Sequence, residues 1–262
     1  MMKQNKRSKF FLEFCVTSLM IMSLILLTYP AWKERIISQQ ISMHSIKKFS
    51  NELPKILPEE EKIHSLSAID SLKQAKPKEL IAYGAVQIPE LNWIQPLYVG
   101  MTNENLFYGG VVMFPERTLQ NDNFVIFGHH LGIQELLFGQ ILKAKIGQNI
   151  IVSYLGKTQT YTIGETALID EKDVDILDIK NRSMLTLFTC PTPTITSQRF
   201  MIRAYPSSIT SQSFISEKRQ LAEVKQYQQQ NVSLKKSYIL LFLIICLLII
   251  LLNRILFLKY LR

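Results

Sequence analysis

Leu185-Thr186-Leu187-Phe188-Thr189-Cys190-Pro191 is the stretch of this sequence that best indicates both a fold and a chemistry. It is an apolar, β-prone run that ends on a thiol, and the proline that follows cannot continue a central strand. The pattern predicts a strand over Met184–Thr189 with Cys190 at its rim. A small buried cysteine without chemical function is the alternative, and the run alone leaves both open.

Two long apolar segments lie near the ends of the 262-residue chain, and they contain the other two cysteines, Cys15 and Cys246. The first segment covers about residues 10–32 and follows four basic residues, whereas the second covers about residues 238–258. Both have the length and hydropathy of a transmembrane helix. A cleaved signal peptide is the alternative for the first segment, but no small-x-small cleavage site follows its apolar core.

The flanking charges favour a cytoplasmic N-terminus, and two spans would return the C-terminus to the same side. We therefore expect a two-pass protein of the cell membrane whose intervening domain is extracellular. Cys190 is then the only thiol of that domain and has no internal disulfide partner. Much of the net charge of +9 lies beside the apolar segments. Basic residues there bind anionic lipid, so we expect membrane lipid and not nucleic acid as a partner.

Changes in composition divide the chain into five parts. Residues 1–32 are expected to be a cytoplasmic tail with the first membrane anchor, and residues 33–79 a helical stalk or cover. Residues 80–206 form the predicted catalytic domain. Residues 207–236, rich in Ser, Gln and Lys, are expected to be a linker, and residues 237–262 the second transmembrane helix with a short tail.

The predicted catalytic domain has the texture of a β protein. Short apolar, β-branched and aromatic runs alternate with turn residues, which predicts a closed or nearly closed barrel with few helices. The strands are expected at Ile81–Ile88, Gln95–Val99, Asn123–Gly128, Asn149–Tyr154, Thr158–Ile169, Met184–Thr189 and Phe200–Tyr205. Helical turns are expected at Asn103–Phe107 and Gln134–Ile141. Before the barrel, apolar residues at helical spacing from Ile36 to Phe49 predict an amphipathic helix.

A reactive cysteine needs a cation or a base beside it. Two adjacent histidines, His129 and His130, follow the predicted strand Asn123–Gly128. Because neighbouring residues on a strand point to opposite faces, only one of the two would normally share a site with Cys190. Surface or capping imidazoles are the alternative.

Arg199 lies nine residues after Cys190, at the start of the next strand. From a rim position there, a guanidinium would stabilise a developing oxyanion and lower the thiol pKa. Arg203 lies on the same face of that strand, so spacing alone does not choose between the two arginines. An ordinary exposed arginine is the alternative for either.

The sequence also contains two sets of candidate metal ligands. A zinc site needs about four ligands, and Cys190 is the only thiol that could join the two histidines as a ligand. The acidic stretch from Asp170 to Asp178 supplies carboxylate oxygens that would suit Ca²⁺, but it lacks the glycine and the spacing of an EF-hand loop. We expect no metal and no cofactor.

The motifs, and the order in which they follow one another along the chain, resemble those of sortases, the cysteine transpeptidases of Gram-positive bacteria. Thr186–Cys190 looks like the family's Thr-Leu-x-Thr-Cys, and Arg199–Arg203 resembles the segment downstream of it. Phe127–His130 resembles the family's histidine segment. Leu106–Gly110 and Ala85–Pro89 are similar to its N-terminal strands.

The resemblance implies a mainly β fold, a closed eight-stranded sortase-type barrel with short helices, here flanked by two transmembrane helices. It also implies the roles of the site residues. Cys190 would be the nucleophile, His129 the acid and base, and Arg199 the group that binds the oxyanion or positions the substrate. Thr189 would help to build the oxyanion hole, and His130 would be a supporting neighbour.

The activity implied is cleavage of a Leu-Pro-x-Thr-Gly-like sorting signal between Thr and Gly, followed by acyl transfer to an amine. The partners would be surface proteins and a peptidoglycan precursor, or pilins joined through a lysine. The histidine pair resembles class A sortases, whereas the C-terminal apolar segment and the Cys–Arg spacing resemble pilus-associated class C enzymes. The chain has no Asp-Pro, the lid motif of many class C enzymes. A hydrolytic cysteine protease and a non-enzymatic membrane adaptor or assembly factor are the other hypotheses.

Overall fold

The computed structural model describes residues 6–43, 45–63, 79–131, 136–177, 182–193, 196–207, 222–227, 243–251 and 254–255. The chain forms two compact units. One comprises residues 1–36 and 232–262, and the other residues 37–231.

The first unit contains most of the long helix α1 (Lys6–Met43) and a helical segment at residues 243–251. No helix among the described residues is both long enough and apolar enough to cross a membrane.

The second unit begins with the last turns of α1, followed by the strand β1 (Ser45–Phe49), which pairs in parallel with β2 (Glu79–Ala82). The expected amphipathic helix from Ile36 to Phe49 is therefore wrong beyond Met43. Ile46 and Phe49 are buried from a strand rather than from a helix. Apolar burial at both positions suits either structure, and the pairing with β2 decides between them.

Eight further strands close into a barrel, as the sequence predicted. They are β3 (Gly84–Ile88), β4 (Trp93–Val99), β5 (Gly110–Val112), β6 (Asn123–Gly128), β7 (Asn149–Tyr154), β8 (Lys157–Asp170), β9 (Met184–Thr189) and β10 (Gln198–Pro206). Their order around the barrel is β10-β8-β7-β3-β4-β5-β6-β9. The pairs β4–β5 and β6–β9 are parallel, and the others are antiparallel.

The expected strand Ile81–Ile88 is two strands, because the chain changes partners at Tyr83. The Tyr83 N–H donates to the Leu97 carbonyl, and its own carbonyl accepts from the Leu155 N–H. β2 pairs with β1 before this residue, and β3 pairs with β4 and β7 after it.

Short helices connect the strands. Helix α2 (Asn103–Tyr108) is capped by Thr102, whose hydroxyl accepts from the Asn105 N–H at 3.1 Å, and it confirms the helical turn expected there. A 3₁₀ helix at Leu137–Lys143 overlaps the second expected turn, of which residues 134–135 lie outside the described part. Two more 3₁₀ turns occupy Pro89–Leu91 and Val174–Leu177.

The core of the second unit extends beyond the barrel. It includes Ile37 and Ile41 from the end of α1, Ile46 from β1, and Val224 from a helical turn at residues 222–227. Tyr227 of the same turn donates from its hydroxyl to Gln140 Oε1 at 2.9 Å. The stretch expected to be a linker thus contributes buried side chains to the folded domain, which removes apolar area from water.

Candidate active site

Two parallel neighbours, β6 and β9, carry the histidines and the cysteine to the same edge of the barrel. Phe127 lies opposite Phe188 in their ladder, and both strands end within two residues of that pair. The carboxyl ends of parallel neighbours meet at one edge. His129 and Cys190 therefore leave the barrel side by side, although 61 positions separate them in the sequence.

β10 brings Arg199 to the same level. It runs antiparallel to β9 with Phe200 opposite Thr189, so the next position on each strand places Arg199 beside Cys190. Thr189 is fully buried inside the barrel. Because side chains alternate along a strand, extending the two ladders past their last pairs places Arg199, Cys190 and His129 in one row on the outer face.

The residues one rung below the site confirm that it lies on the outer face of the barrel. Phe127, Phe188, Met201 and Ala167 lie one rung below the site, on the same face of their strands. They pack in an apolar cluster separate from the core inside the barrel. The row of His129, Cys190 and Arg199 therefore lies at the end of an apolar strip on the outer wall.

The register also separates the two arginines that spacing could not distinguish. Arg203 lies opposite Thr186, four residues before the cysteine, and pairs with Glu165 across the β8–β10 ladder at 2.9 Å. Arg199 is the arginine at the level of Cys190.

His129 is buried, with 8% of its surface exposed, and its Nε2 has no hydrogen-bond partner. Burial lowers the pKa of His129 to about 4, because the charged imidazolium loses its hydration. The ring is therefore neutral at physiological pH and has a nitrogen free to exchange a proton or to bind a ligand.

His130 contacts the backbone of the cysteine. Its Nδ1 lies 3.1 Å from the Cys190 carbonyl oxygen. A carbonyl only accepts, so the proton must be on Nδ1. Burial lowers the pKa of His130, and hydrogen bonds to the carbonyls of Cys190 and Pro191 oppose that shift. His130 thus fixes the position of the Cys190 main chain.

Cys190 is partly exposed. Burial raises the pKa of its thiol, the positive charge of Arg199 lowers it, and the negative charge of Glu171 raises it again. The resting site consequently holds a protonated thiol and a neutral imidazole, together with a guanidinium whose positive charge acts on the thiol.

Thr189 joins the ends of the two parallel strands. Its hydroxyl donates to the Gly128 carbonyl oxygen at 2.9 Å, and the side chain is fully buried. This bond fixes the spacing between the residues that precede His129 and Cys190. The hydroxyl is engaged there, so a direct part for it in an oxyanion hole stays a prediction.

Phe138 is a positioning residue that the sequence did not single out. Its N–H donates to the His129 carbonyl at 3.1 Å, and its ring lies flat against Gly128, where an added Cβ would come within 2.0 Å of Phe138 Cδ2. Trp93 packs edge-on against the same ring with centroids 5.1 Å apart. The glycine before the histidine was the available signal, because it allows this close approach.

The acidic loop uses its carboxylates locally. Asp170 Oδ1 accepts from the Lys172 N–H, and Asp173 Oδ2 accepts from the Asp170 N–H. Within the described residues, no group of three or more His, Cys, Asp or Glu side chains is arranged to hold a metal ion. Asp178 lies outside those residues.

A thiol, a neutral imidazole and a guanidinium in one row define a site for nucleophilic acyl transfer. Comparisons with known proteins agree with that class. Residues 86–207 match the family model described as "Sortase domain". Sortase A of Listeria monocytogenes is 32% identical over 118 residues, which are 45% of this chain and 53% of the relative. The chain thus spans about half the length of that protein.

Sortase A of Streptococcus agalactiae is 25% identical over 248 residues, covering 88% of this chain and 100% of the relative. The solved structure of Listeria monocytogenes sortase A superposes with a TM-score of 0.48 and 27% identity, over 53% of this chain and 97% of that one. Over residues 86–207 the chain is therefore similar to the sortases, a family of cysteine transpeptidases.

Proposed function

We propose that this protein is a membrane-anchored sortase that cleaves a Leu-Pro-x-Thr-Gly-like signal between Thr and Gly and transfers the acyl group to an amine. The observation that supports it best is the row of His129, Cys190 and Arg199 on three adjacent strands. A peptidoglycan precursor supplies the amine, and the product is a surface protein anchored to the cell wall.

The first half of the reaction forms a thioester. Cys190 Sγ attacks the carbonyl carbon of the signal's threonine, and the thiol proton passes to the neutral ring of His129. Negative charge collects on the carbonyl oxygen, where the Arg199 guanidinium stabilises it by a charge-assisted hydrogen bond. The C–N bond then breaks, and His129 gives the proton to the leaving amine of glycine.

The second half regenerates the enzyme. The acceptor amine attacks the thioester carbon, and its proton returns through His129 to the departing thiolate. The new amide bond replaces the one that was cleaved. No oxidant, reductant or external proton donor is required.

The apolar strip below the site suits a peptide of this kind. Phe127, Phe188 and Met201 lie directly beneath the reacting row, with the remaining members of the cluster around them. An extended peptide along the outer wall would place its leucine and proline over the partly exposed members of this cluster, such as Phe127, Ala167 and Ile169, with its threonine carbonyl beside Cys190. Burying those two side chains supplies affinity that a bare thiol lacks.

The proposed membrane anchoring depends on the apolar segments and their flanking charges. α1 exposes large apolar side chains along its length, among them Phe11, Leu19 and Leu27, and residues 243–251 do the same through Leu247 and Leu248. The basic residues ahead of the first apolar segment favour a cytoplasmic N-terminus and an extracellular catalytic domain. Carbonate extraction and protease accessibility on intact cells test both parts.

The activity is tested with the full chain in detergent micelles and a fluorogenic Leu-Pro-x-Thr-Gly peptide. We expect cleavage that is lost in Cys190→Ala, and a thioacyl adduct of the peptide mass on Cys190 when no amine is added. Cleavage that survives Cys190→Ala would exclude the assigned nucleophile. With an amine present, amide product indicates a transpeptidase, whereas acid product alone indicates a protease. Comparing oligoglycine, a peptidoglycan stem peptide and a lysine-containing pilin peptide separates wall anchoring from pilus assembly.

A further inference from the structure

The guanidinium of Arg199 is bound to groups other than Cys190 in this structure. Its Nη1 donates to the carbonyl oxygens of Thr196 at 2.6 Å and Gln198 at 2.8 Å. Its Nη2 donates to Glu171 Oε2 at 2.7 Å. The two nitrogens that would serve a substrate carbonyl are therefore held by two main-chain carbonyls, one before β10 and one at its first residue, and by one carboxylate.

The backbone fixes Glu171 in that position. Glu171 follows the last residue of β8, and its N–H donates to the Ser197 carbonyl at 2.7 Å. This bond continues the β8–β10 ladder two residues beyond the pair formed by Arg199 and Ile169. Because side chains alternate, Glu171 emerges on the same face as Arg199 and one rung beyond it.

The ion pair is of a kind that can open. The side chain of Arg199 is 23% exposed and that of Glu171 is 45% exposed. Pairs at such positions contribute little to stability because water and salt compete for both charges. An oxyanion forming beside Cys190 can therefore displace the carboxylate from Nη2.

We propose that Glu171 is a positioning residue that holds the Arg199 guanidinium away from the reacting carbonyl and so restrains the site until a substrate is bound. The inference rests on the proposed role of Arg199 in stabilising the oxyanion. Glu171 does not touch the substrate in this scheme. It acts only through Arg199 and through its charge.

The electrostatics of the thiol agree with this arrangement. The charged groups that act on Cys190 are Arg199, which lowers its pKa, and Glu171, which raises it, while burial raises it further. The neutral imidazoles of His129 and His130 complete the surroundings on the β6 side. Removing the negative charge of Glu171 both frees Arg199 and favours the thiolate, so the two effects add.

The test uses Glu171→Gln and a control from β8, the strand that precedes Glu171. Glu165→Gln removes an identical carboxylate from β8, on the same face, where it pairs with Arg203 at 2.9 Å. Both are made in the full chain with Cys15 and Cys246 changed to Ser, so that Cys190 is the only thiol. Two readouts are taken: the pH profile of Cys190 alkylation by iodoacetamide, and kcat/KM for the fluorogenic sorting peptide.

We expect Glu171→Gln to lower the apparent thiol pKa and to raise both the neutral-pH alkylation rate and kcat/KM by about two- to fivefold, the range that corresponds to an exposed ion pair. Glu165→Gln should change neither, whatever its melting temperature. In an Arg199→Ala background, Glu171→Gln should no longer raise kcat/KM.

Three results would overturn the inference: wild-type values for both readouts, a fall in kcat/KM, or equal effects of the two glutamate variants. A fall would mean that Glu171 holds Arg199 in its working position. If no variant cleaves the peptide but Glu171→Gln still lowers the apparent pKa of the Cys190 thiol, the proposed substrate is refuted and the action of Glu171 on the site is supported.

Discussion

Gly128→Ala should damage both the fold and the site. A Cβ at this position would lie 2.0, 2.3 and 2.4 Å from three atoms of the Phe138 ring, whereas unstrained carbon contacts are about 3.5–4.0 Å. The ring must therefore retreat by roughly 1.5 Å. It has no room to do so, because it is fully buried, packs edge-on against Trp93 and also lies over Gly110.

The magnitude follows from that confinement. Overpacking a rigid core costs about 1–3 kcal/mol, and we expect the upper end here. For a folded unit of this size, about 3 kcal/mol lowers the melting temperature by roughly 6–12 °C. Because the Phe138 N–H donates to the His129 carbonyl, the displacement reaches His129, the proposed base. A shift of about 1 Å in such a group can reduce kcat roughly 100-fold.

Two further variants separate this clash from a general loss of flexibility at a glycine. Gly164→Ala is the control, since its Cβ meets the partly exposed ring of Tyr205, which can move aside. It should cost less than about 1 kcal/mol. Phe138→Leu should relieve Gly128→Ala, so that the double variant is more stable than the sum of the single effects by about 1–2 kcal/mol.

Thermal and urea unfolding of the wild type and the four variants, with peptide cleavage in parallel, measure these values. If Gly128→Ala is as stable as the wild type, or if Phe138→Leu brings no relief, the contact between the two residues does not confine the chain as described.

Three other changes test separate features. The pKa of His129 is about 4 in the folded state, below the unfolded value of about 6.5, so the folded protein binds fewer protons and its stability falls as the pH drops between those values. Urea unfolding should show a loss of about 2 kcal/mol from about pH 7.5 to about pH 5, and His129→Gln should abolish this loss. The same dependence of stability on pH in the variant and the wild type would contradict the burial of a neutral ring. Thr189→Val removes the hydroxyl that donates to the buried Gly128 carbonyl, so it should cost about 1–3 kcal/mol of stability and lower kcat. Thr189→Ser should keep both the stability and the kcat of the wild type. Equal behaviour of the two variants would argue against the hydroxyl bond. Ile46 is 1% exposed in the core, so Ile46→Ala should cost about 2–5 kcal/mol of stability. By calorimetry, a fragment of residues 80–206, which lacks β1, should have a much lower melting temperature than a fragment of residues 37–231. Equal melting temperatures of the two fragments would refute this expectation.

The strands of the barrel were largely readable in the sequence, because each carries a local signal. Asn123–Gly128, Asn149–Tyr154 and Met184–Thr189 were predicted with the bounds that the structure shows. β5 was missed, since Gly110–Val112 is only three residues long and follows a helix directly. So short a run has no periodicity to detect, and its pairing with β4 and β6 defines it.

The segments around the barrel were harder to predict for a different reason. The turn at residues 222–227 lies in a polar, Gln-rich stretch, and its burial depends on Val224 and Tyr227 meeting a surface formed by distant parts of the chain. β1 looked helical because its apolar residues continue the spacing of α1. Tertiary partners decided both cases, and no window of sequence contains them.

The candidate site shows the same division. The family resemblance selected Cys190 and Arg199, whereas residue spacing alone left Arg199 and Arg203 equivalent until the β9–β10 register separated them. Glu171 and Phe138 were not singled out, because an acidic loop residue and a phenylalanine in an apolar run have many ordinary uses. Only their contacts reveal the function that they support.

The parallel pairing of β6 and β9 has a consequence for how the protein matures. The proposed base His129 and the proposed nucleophile Cys190 are 61 positions apart, and strands β7 and β8 lie between them in the chain. Such a long-range contact forms late in folding, because the entropy of closing the loop must be overcome first. A newly synthesised chain therefore carries an ordinary thiol until the barrel closes. On this account, the proposed acyl transfer begins only in molecules that have finished folding.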